Sequence, residues 1–202
     1  MRGKRRNRKA GSNPLEDALR ALAAGLGDTG VGWAVIGGIA VIAHGVQRMT
    51  TDVDAVMVGG EIAISQLIGV LGAHGIEPRA DDAESFAQAN LVLLLVHRAT
   101  GVEIDLSLGW TEFERSSIAS STSTVFGHTS LPMARPEDLV VFKAIAARPK
   151  DVEDAIALLV MHPEIDLVET RRRVAELAAM AESPELVEGL ESMIAMARRA
   201  VK

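Results

Sequence analysis

The sequence has no cysteine, which excludes disulfide bridges and thiolate metal sites and leaves nothing to argue for an oxidising compartment. It also lacks a long apolar run. The longest, near residues 31–46, is interrupted by glycines and His44 and falls short of the ~20 residues a membrane span needs. No apolar segment follows the basic opening MRGKRRNRKAGSN at once, as a secretory signal would require. The five histidines, His44, His74, His97, His128 and His162, show no ligand spacing such as i, i+4, so zinc is not expected and His44 reads as a core or helix-end residue. Strand signals stop near residue 131. These absences predict a soluble, cytoplasmic protein without membrane partners, whose last third is entirely helical.

What is present suits one ordinary domain, or a domain with a helical annex: 202 residues, 48% of them apolar. The net charge of −6 conceals an asymmetry. Arg2, Lys4, Arg5, Arg6, Arg8 and Lys9 crowd into the first nine residues, so the remainder carries a net −12. Residues 1–13 therefore read as a disordered basic tail. It fits a tether for nucleic-acid phosphates and equally a solubilising segment.

The stretch WAVIGGIAVIAHGVQRMTTDVDAVMV, residues 33–58, carries the chemistry. It reads as a strand over Trp33 to Ile36, a turn at Gly37-Gly38, a short helix over Ile39 to His44, a polar loop from Gln47 to Thr51, and a second strand carrying Asp52 and Asp54. Alternation along a strand puts both carboxylates on one side. Like charges so close repel and push one pKa upward unless a cation lies between them. A hard divalent ion such as magnesium suits oxygen ligands and keeps positions open for phosphates. Gly37 and Gly38 would let backbone approach an anion closely, ahead of the N–H groups of the following helix. Metal and anion cradle together point to a nucleoside triphosphate.

Around this unit, Pro14 to Leu26 is an amphipathic helix capped by Asn13, and Glu61 to Ala73 is a second helix. A short strand over Ile76 to Arg79 and an acidic loop over Asp81 to Glu84 follow. Asn90 to His97 and Val102 to Leu108 form a hairpin in the middle of a sheet. In the second of these strands Glu103, Asp105 and Ser107 share a face. A carboxylate in so apolar a strand is costly if unpaired, so Asp105 is a third metal ligand, or else sits on a solvated sheet face. Trp110 to Ala119 is a helix, and Thr124 to Leu131 a last strand ended by Pro132. Helices opening at Pro136, Pro149, Leu167 and Pro184 complete the chain. The expected fold is α/β, a mixed-sheet core over residues 14–134 followed by a C-terminal helical bundle over 135–202.

Gly37-Gly38, Asp52-Val53-Asp54 and the distant Asp105 resemble the signature of the polymerase-β-type nucleotidyltransferase superfamily. Within it, Arg48-x-x-Thr51-Asp52-Val53-Asp54 and the block RPEDLVVFKAIAARPKDVEDAIAL are similar to AbiEii-like toxin nucleotidyltransferases of bacterial toxin–antitoxin systems. The resemblance implies two Mg2+ ions held by Asp52, Asp54 and Asp105, with Asp105 also helping to take a proton. It implies an NTP as substrate, with Gly37, Gly38, Arg48, Thr51 and Asp151 at the nucleotide. Lys143, on the polar edge of VVFKAIA, would reach the triphosphate, or else lie as a surface lysine over Phe142. Asp151 and Asp154 would orient it or cap a helix, and Lys150 and Asp154 at i, i+4 equally suit an ordinary surface pair. The acceptor would be RNA, the 3′ end of a tRNA, and an antitoxin protein a possible partner. In one respect the chain departs from the pattern: many members have Gly-Ser in the turn, with the serine hydroxyl on a phosphate, and here Gly38 stands in the serine's place. Two other readings compete. One is a small-molecule nucleotidyltransferase for a cationic, aminoglycoside-like acceptor, which an acidic surface would attract. The other is a catalytically silent protein that binds nucleotide or a partner.

Overall fold

The computed structural model describes residues 13–201; the basic tail, apart from Asn13, lies outside them. Helix α1 (Pro14–Thr29) starts where the sequence places it, with the Leu15 N–H donating to the Asn13 side chain at 3.1 Å. Leu19, Leu22 and Leu26 on its inner face are fully buried, each contributing roughly 1.5–3 kcal/mol relative to exposure. The chain continues through β1 (Trp33–Ile36), α2 (Gly37–Ala43), β2 (Val53–Val58), α3 (Ile64–Ala73), β3 (Ile76–Pro78), α4 (Ala83–Asn90), β4 (Val92–His97) and β5 (Val102–Gly109). Then come α5 (Glu112–Ala119), β6 (Thr122–Phe126) and β7 (Thr129–Met133), followed by α6 (Pro136–Ala146), α7 (Pro149–Met161), α8 (Leu167–Met180) and α9 (Glu185–Ala200).

The seven strands make one mixed sheet in the order β3-β4-β5-β2-β1-β7-β6. Strand β2 runs parallel to β5, and β1 parallel to β7, while the other neighbours are antiparallel. Alternation divides β2 between two environments. Val53, Ala55 and Met57 belong to the main core, where α1 packs on β2 and β5. On the other face Val56 joins Ala34 and Ile118 in a smaller cluster under α5, and Asp54 lies on this side one alternation earlier. The main core runs on without a break into Leu139 and Val140 of α6, Val174 of α8 and Leu190 of α9. Among the described residues no helix is long and apolar enough to cross a membrane.

Several elements differ from the sequence expectation. The segment around the acidic loop folds as α4, which buries only Ala83 and Ala87; two alanines in eight residues leave almost no apolar period to detect. The single strand expected over Thr124 to Leu131 is the β6–β7 hairpin, turned at Gly127 with φ of 61°. Pro132 lies inside β7 rather than ending it. Its missing N–H is tolerated because the pairing of β7 with β1 is confined to Met133 opposite Val35. Finally, β2 begins at Val53, so Asp52 stands at its entrance rather than within it, and α2 begins at Gly37 itself.

Candidate active site

The register of the sheet brings the acidic residues together. Asp54 is paired across the sheet with Ile36 of β1 on one side and with Asp105 of β5 on the other. Directly opposed residues project to the same face, so the two carboxylates face the same way. Asp52 lies two residues before Asp54, at the mouth of the same strand. Its Oδ1 accepts from the Thr50 hydroxyl at 2.7 Å. Burial pushes the Asp52 carboxyl up, but the Thr50 bond and the charges of Lys150 and Arg48 outweigh it and hold the group below its ordinary value. Asp54 goes the other way: burial, then the neighbouring Asp52, raises it, with Asp105 adding to the rise and Lys143 opposing it.

The glycine turn is shaped around these groups. Gly37 has φ of +65°, and a β-carbon there would collide with Asp54 Oδ2. The Gly38 N–H points to the same oxygen at 3.4 Å. A β-carbon at position 38 would lie 2.6 Å from Thr50 Oγ1, so the loop hydroxyl occupies the space that a longer residue in the turn would need. Thr51, which the motif suggested for the nucleotide, is exposed, and its neighbour Thr50 holds Asp52.

A second charged cluster lies beside the first. Lys143 of α6 is buried, with its ammonium 2.8 Å from Asp151 Oδ1 and 2.9 Å from Asp154 Oδ2. Its burial excludes the reading of a surface lysine. Arg148 Nε donates to Asp151 Oδ2 at 2.5 Å, and Arg48 of the loop pairs with Asp154. Asp154 thus pairs with Arg48 and Lys143, although the sequence spacing also suited Lys150. Burial acts to raise Asp151, yet the hydrogen bonds from Arg148 and Lys143 hold it low. Three cations facing two carboxylates leave this flank net positive, and Arg148 is close enough to feel both Asp54 and Asp52.

Asp105 has a partner that the sequence did not suggest. The Arg79 guanidinium donates to Asp105 and, at 2.6 Å, to Glu103 Oε2. Among the described residues no three His, Cys, Asp or Glu side chains stand as a group that could hold a metal ion. The donor set nevertheless fits a hard divalent cation. It consists of carboxylate oxygens on one face, and Asp54 is raised first by burial and then by the charge of Asp52, a rise that a cation would relieve. His44 closes the end of α2, as the sequence suggested, with its Nε2 2.8 Å from the Ala134 carbonyl.

No family model and no curated protein matches the chain by sequence. Solved structures do match it in shape. The solution structure of the antibiotic-resistance factor ANT(2'')-Ia aligns with a TM-score of 0.58 at 13% identity, covering 85% of this chain and 95% of that one. A crystal structure of ANT(2'')-Ia in complex with adenylyl-2''-tobramycin gives 0.56 at 14%, covering 83% and 99%. A protein of H. pylori, provisionally described as a nucleotidyltransferase, gives 0.51 at 14%, covering 95% and 96%. The chain therefore has the nucleotidyltransferase fold, a mixed sheet flanked by helices and followed by a helical C-terminal region.

Proposed function

We propose that the protein is a metal-dependent nucleotidyltransferase that moves a nucleoside monophosphate from an NTP to an acceptor hydroxyl. The observation that carries this reading is the pairing of Asp54 with Asp105 on adjacent parallel strands, with Asp52 beside them and the Gly37 turn against Asp54. Asp52, Asp54 and Asp105 would hold the magnesium ions. Bound there, they would neutralise charge on the triphosphate and on the attacking oxygen.

The remaining chemistry falls to the chain itself. The acceptor oxygen bonds to the α-phosphorus, the bond to pyrophosphate breaks with its electron pair leaving on pyrophosphate, and Asp105 takes the hydroxyl proton. Arg148 and Lys150, whose charges reach Asp52, supply the positive flank for the polyphosphate. Arg48 and Lys143 are balanced by Asp154 and Asp151 and act by fixing the loop and α7 against the site.

Two acceptors fit. The toxin-like motifs and the basic first nine residues favour RNA, the 3′ end of a tRNA, with an antitoxin as regulator. The net −12 of the rest of the chain favours a cationic small molecule, and the neighbour solved with adenylyl-tobramycin supports that second reading. Incubation with labelled NTPs, magnesium and total tRNA, beside a panel of aminoglycosides, separates them by which acceptor takes the label. Labelling should vanish in Asp52→Ala and Asp54→Ala. A wild type that labels no acceptor would favour the silent binding protein.

A further inference from the structure

Arg79 follows β3, and its backbone N–H donates to the Leu94 carbonyl at 3.0 Å. Leu94 pairs with Asp105, and Asp105 with Asp54, so Arg79 ends a row that crosses the sheet to the acidic face. Its guanidinium reaches back across Leu94 and divides its donors between Glu103 and Asp105. Those two carboxylates are two residues apart on β5 and share a face. Together with Asp52 and Asp54 they bring four negative charges to one side of the sheet. Arg79 is the cation bonded to the β5 pair.

The strength of this contact is limited by water. The side chains of Glu103 and Asp105 are 60% and 47% exposed, and that of Arg79 is 25% exposed. Exposed ion pairs contribute little net stability, because solvent screens them and ordering long side chains opposes them. A divalent ion brings twice the charge to the same carboxylate from a compact centre. We propose that Arg79 is the resident counter-cation of Asp105, with which a divalent ion competes for this carboxylate. Arg79 is then a positioning residue. It keeps the acidic face together in the metal-free protein and sets a threshold for loading its third ligand. This inference rests on the assignment of Asp52, Asp54 and Asp105 to metal binding.

Titration of Mn2+ into the full chain, followed by calorimetry or by the EPR signal of free Mn2+, tests it without recourse to activity. Arg79→Gln should bind Mn2+ about two- to fivefold more tightly than wild type, the range that loss of an exposed competing ion pair allows. Arg79→Ala should do the same, and Arg79→Lys should stay near wild type. Arg98→Gln removes an equal charge whose partner is Glu77, and should leave the affinity unchanged. Adding Asp105→Asn to Arg79→Gln should abolish the gain. The proposal is overturned, with the metal assignment intact, if wild type binds Mn2+ and both neutral variants bind it no more tightly. It is also overturned if Arg98→Gln produces the same gain, because the effect is then one of overall charge. If neither wild type nor the Arg79 variants bind Mn2+, the metal assignment itself fails.

Discussion

The backbone of Gly37 lies so close against the Asp54 carboxylate that a side chain at position 37 would displace it. The same residue has a left-handed backbone conformation, and the N–H of the next residue points at the same carboxylate oxygen. The glycine pair thus forms the seat of an acidic side chain. Space for the carboxylate and the turn out of β1 are one requirement.

Gly37→Ala should therefore be poorly tolerated. The left-handed conformation alone costs about 1–3 kcal/mol for a residue with a β-carbon, and moving Asp54 adds to that. Thermal unfolding should show the loss of stability, and Mn2+ titration should show weakened binding in whatever protein folds. A Gly37→Ala variant with wild-type stability and binding would mean that the turn can relax away from Asp54.

Replacement of Asp54 should separate stability from function. Burial, followed by the charge of Asp52, raises its carboxyl above 3.8. A carboxyl raised by folding contributes stability that is present below its unfolded pKa and is lost as pH rises through the folded value. In chelator-treated buffer Asp54→Asn should accordingly melt above wild type at neutral pH, with the margin shrinking as pH falls toward 3.8. Its labelling activity should be gone at every pH. A variant less stable than wild type at neutral pH would show that Lys143 and the Gly38 N–H outweigh the burial.

Lys143→Met tests the buried network. Removing a buried cation strands Asp151 and Asp154 with only Arg148 and Arg48, and such losses run to about 3 kcal/mol or more. Adding Asp154→Asn should recover part of the loss, as expected for partners in one network. Urea midpoints of the two single variants and the double variant give the coupling directly. Additive losses would indicate that the two side chains act independently.

His44 makes stability depend on pH in the opposite sense from Asp54. Burial lowers its pKa below 6.5, partly offset by its bond to the Ala134 carbonyl. A group depressed by folding contributes stability that is present above its unfolded pKa and is lost as pH falls through the lower folded value. Melting temperatures followed downward from pH 6.5 should fall more steeply for wild type than for His44→Asn. Parallel curves would remove His44 as the cause.

Most of the sheet was legible in the sequence because its inner strands are written in valine, isoleucine and leucine between glycine turns. Helix α4 was not, since two small alanines are all it buries. The β6–β7 hairpin was misread because Pro132 marks an end in most strands, and nothing local reveals that β7 needs so few hydrogen bonds on its β1 side. At the site, the motif named Thr51 for the nucleotide and gave no sign of Thr50, whose hydroxyl holds Asp52. Periodicity specifies a face, but it does not show which hydroxyl of a loop folds back onto Asp52.

Local pattern was enough to set the alternation that sends Asp54 and Asp105 out of the core, the glycine between β1 and α2, and the helical character of everything after residue 135. Those are local properties, set by the period of the side chains and by the freedom of a residue without a β-carbon. The folded sheet was needed to place β5 beside β2 in a register that opposes the two carboxylates, and to bring Arg79 to Asp105 from 26 residues away. Strand order and register depend on how all the faces are buried at once, and that physical constraint belongs to the whole chain rather than to any one segment.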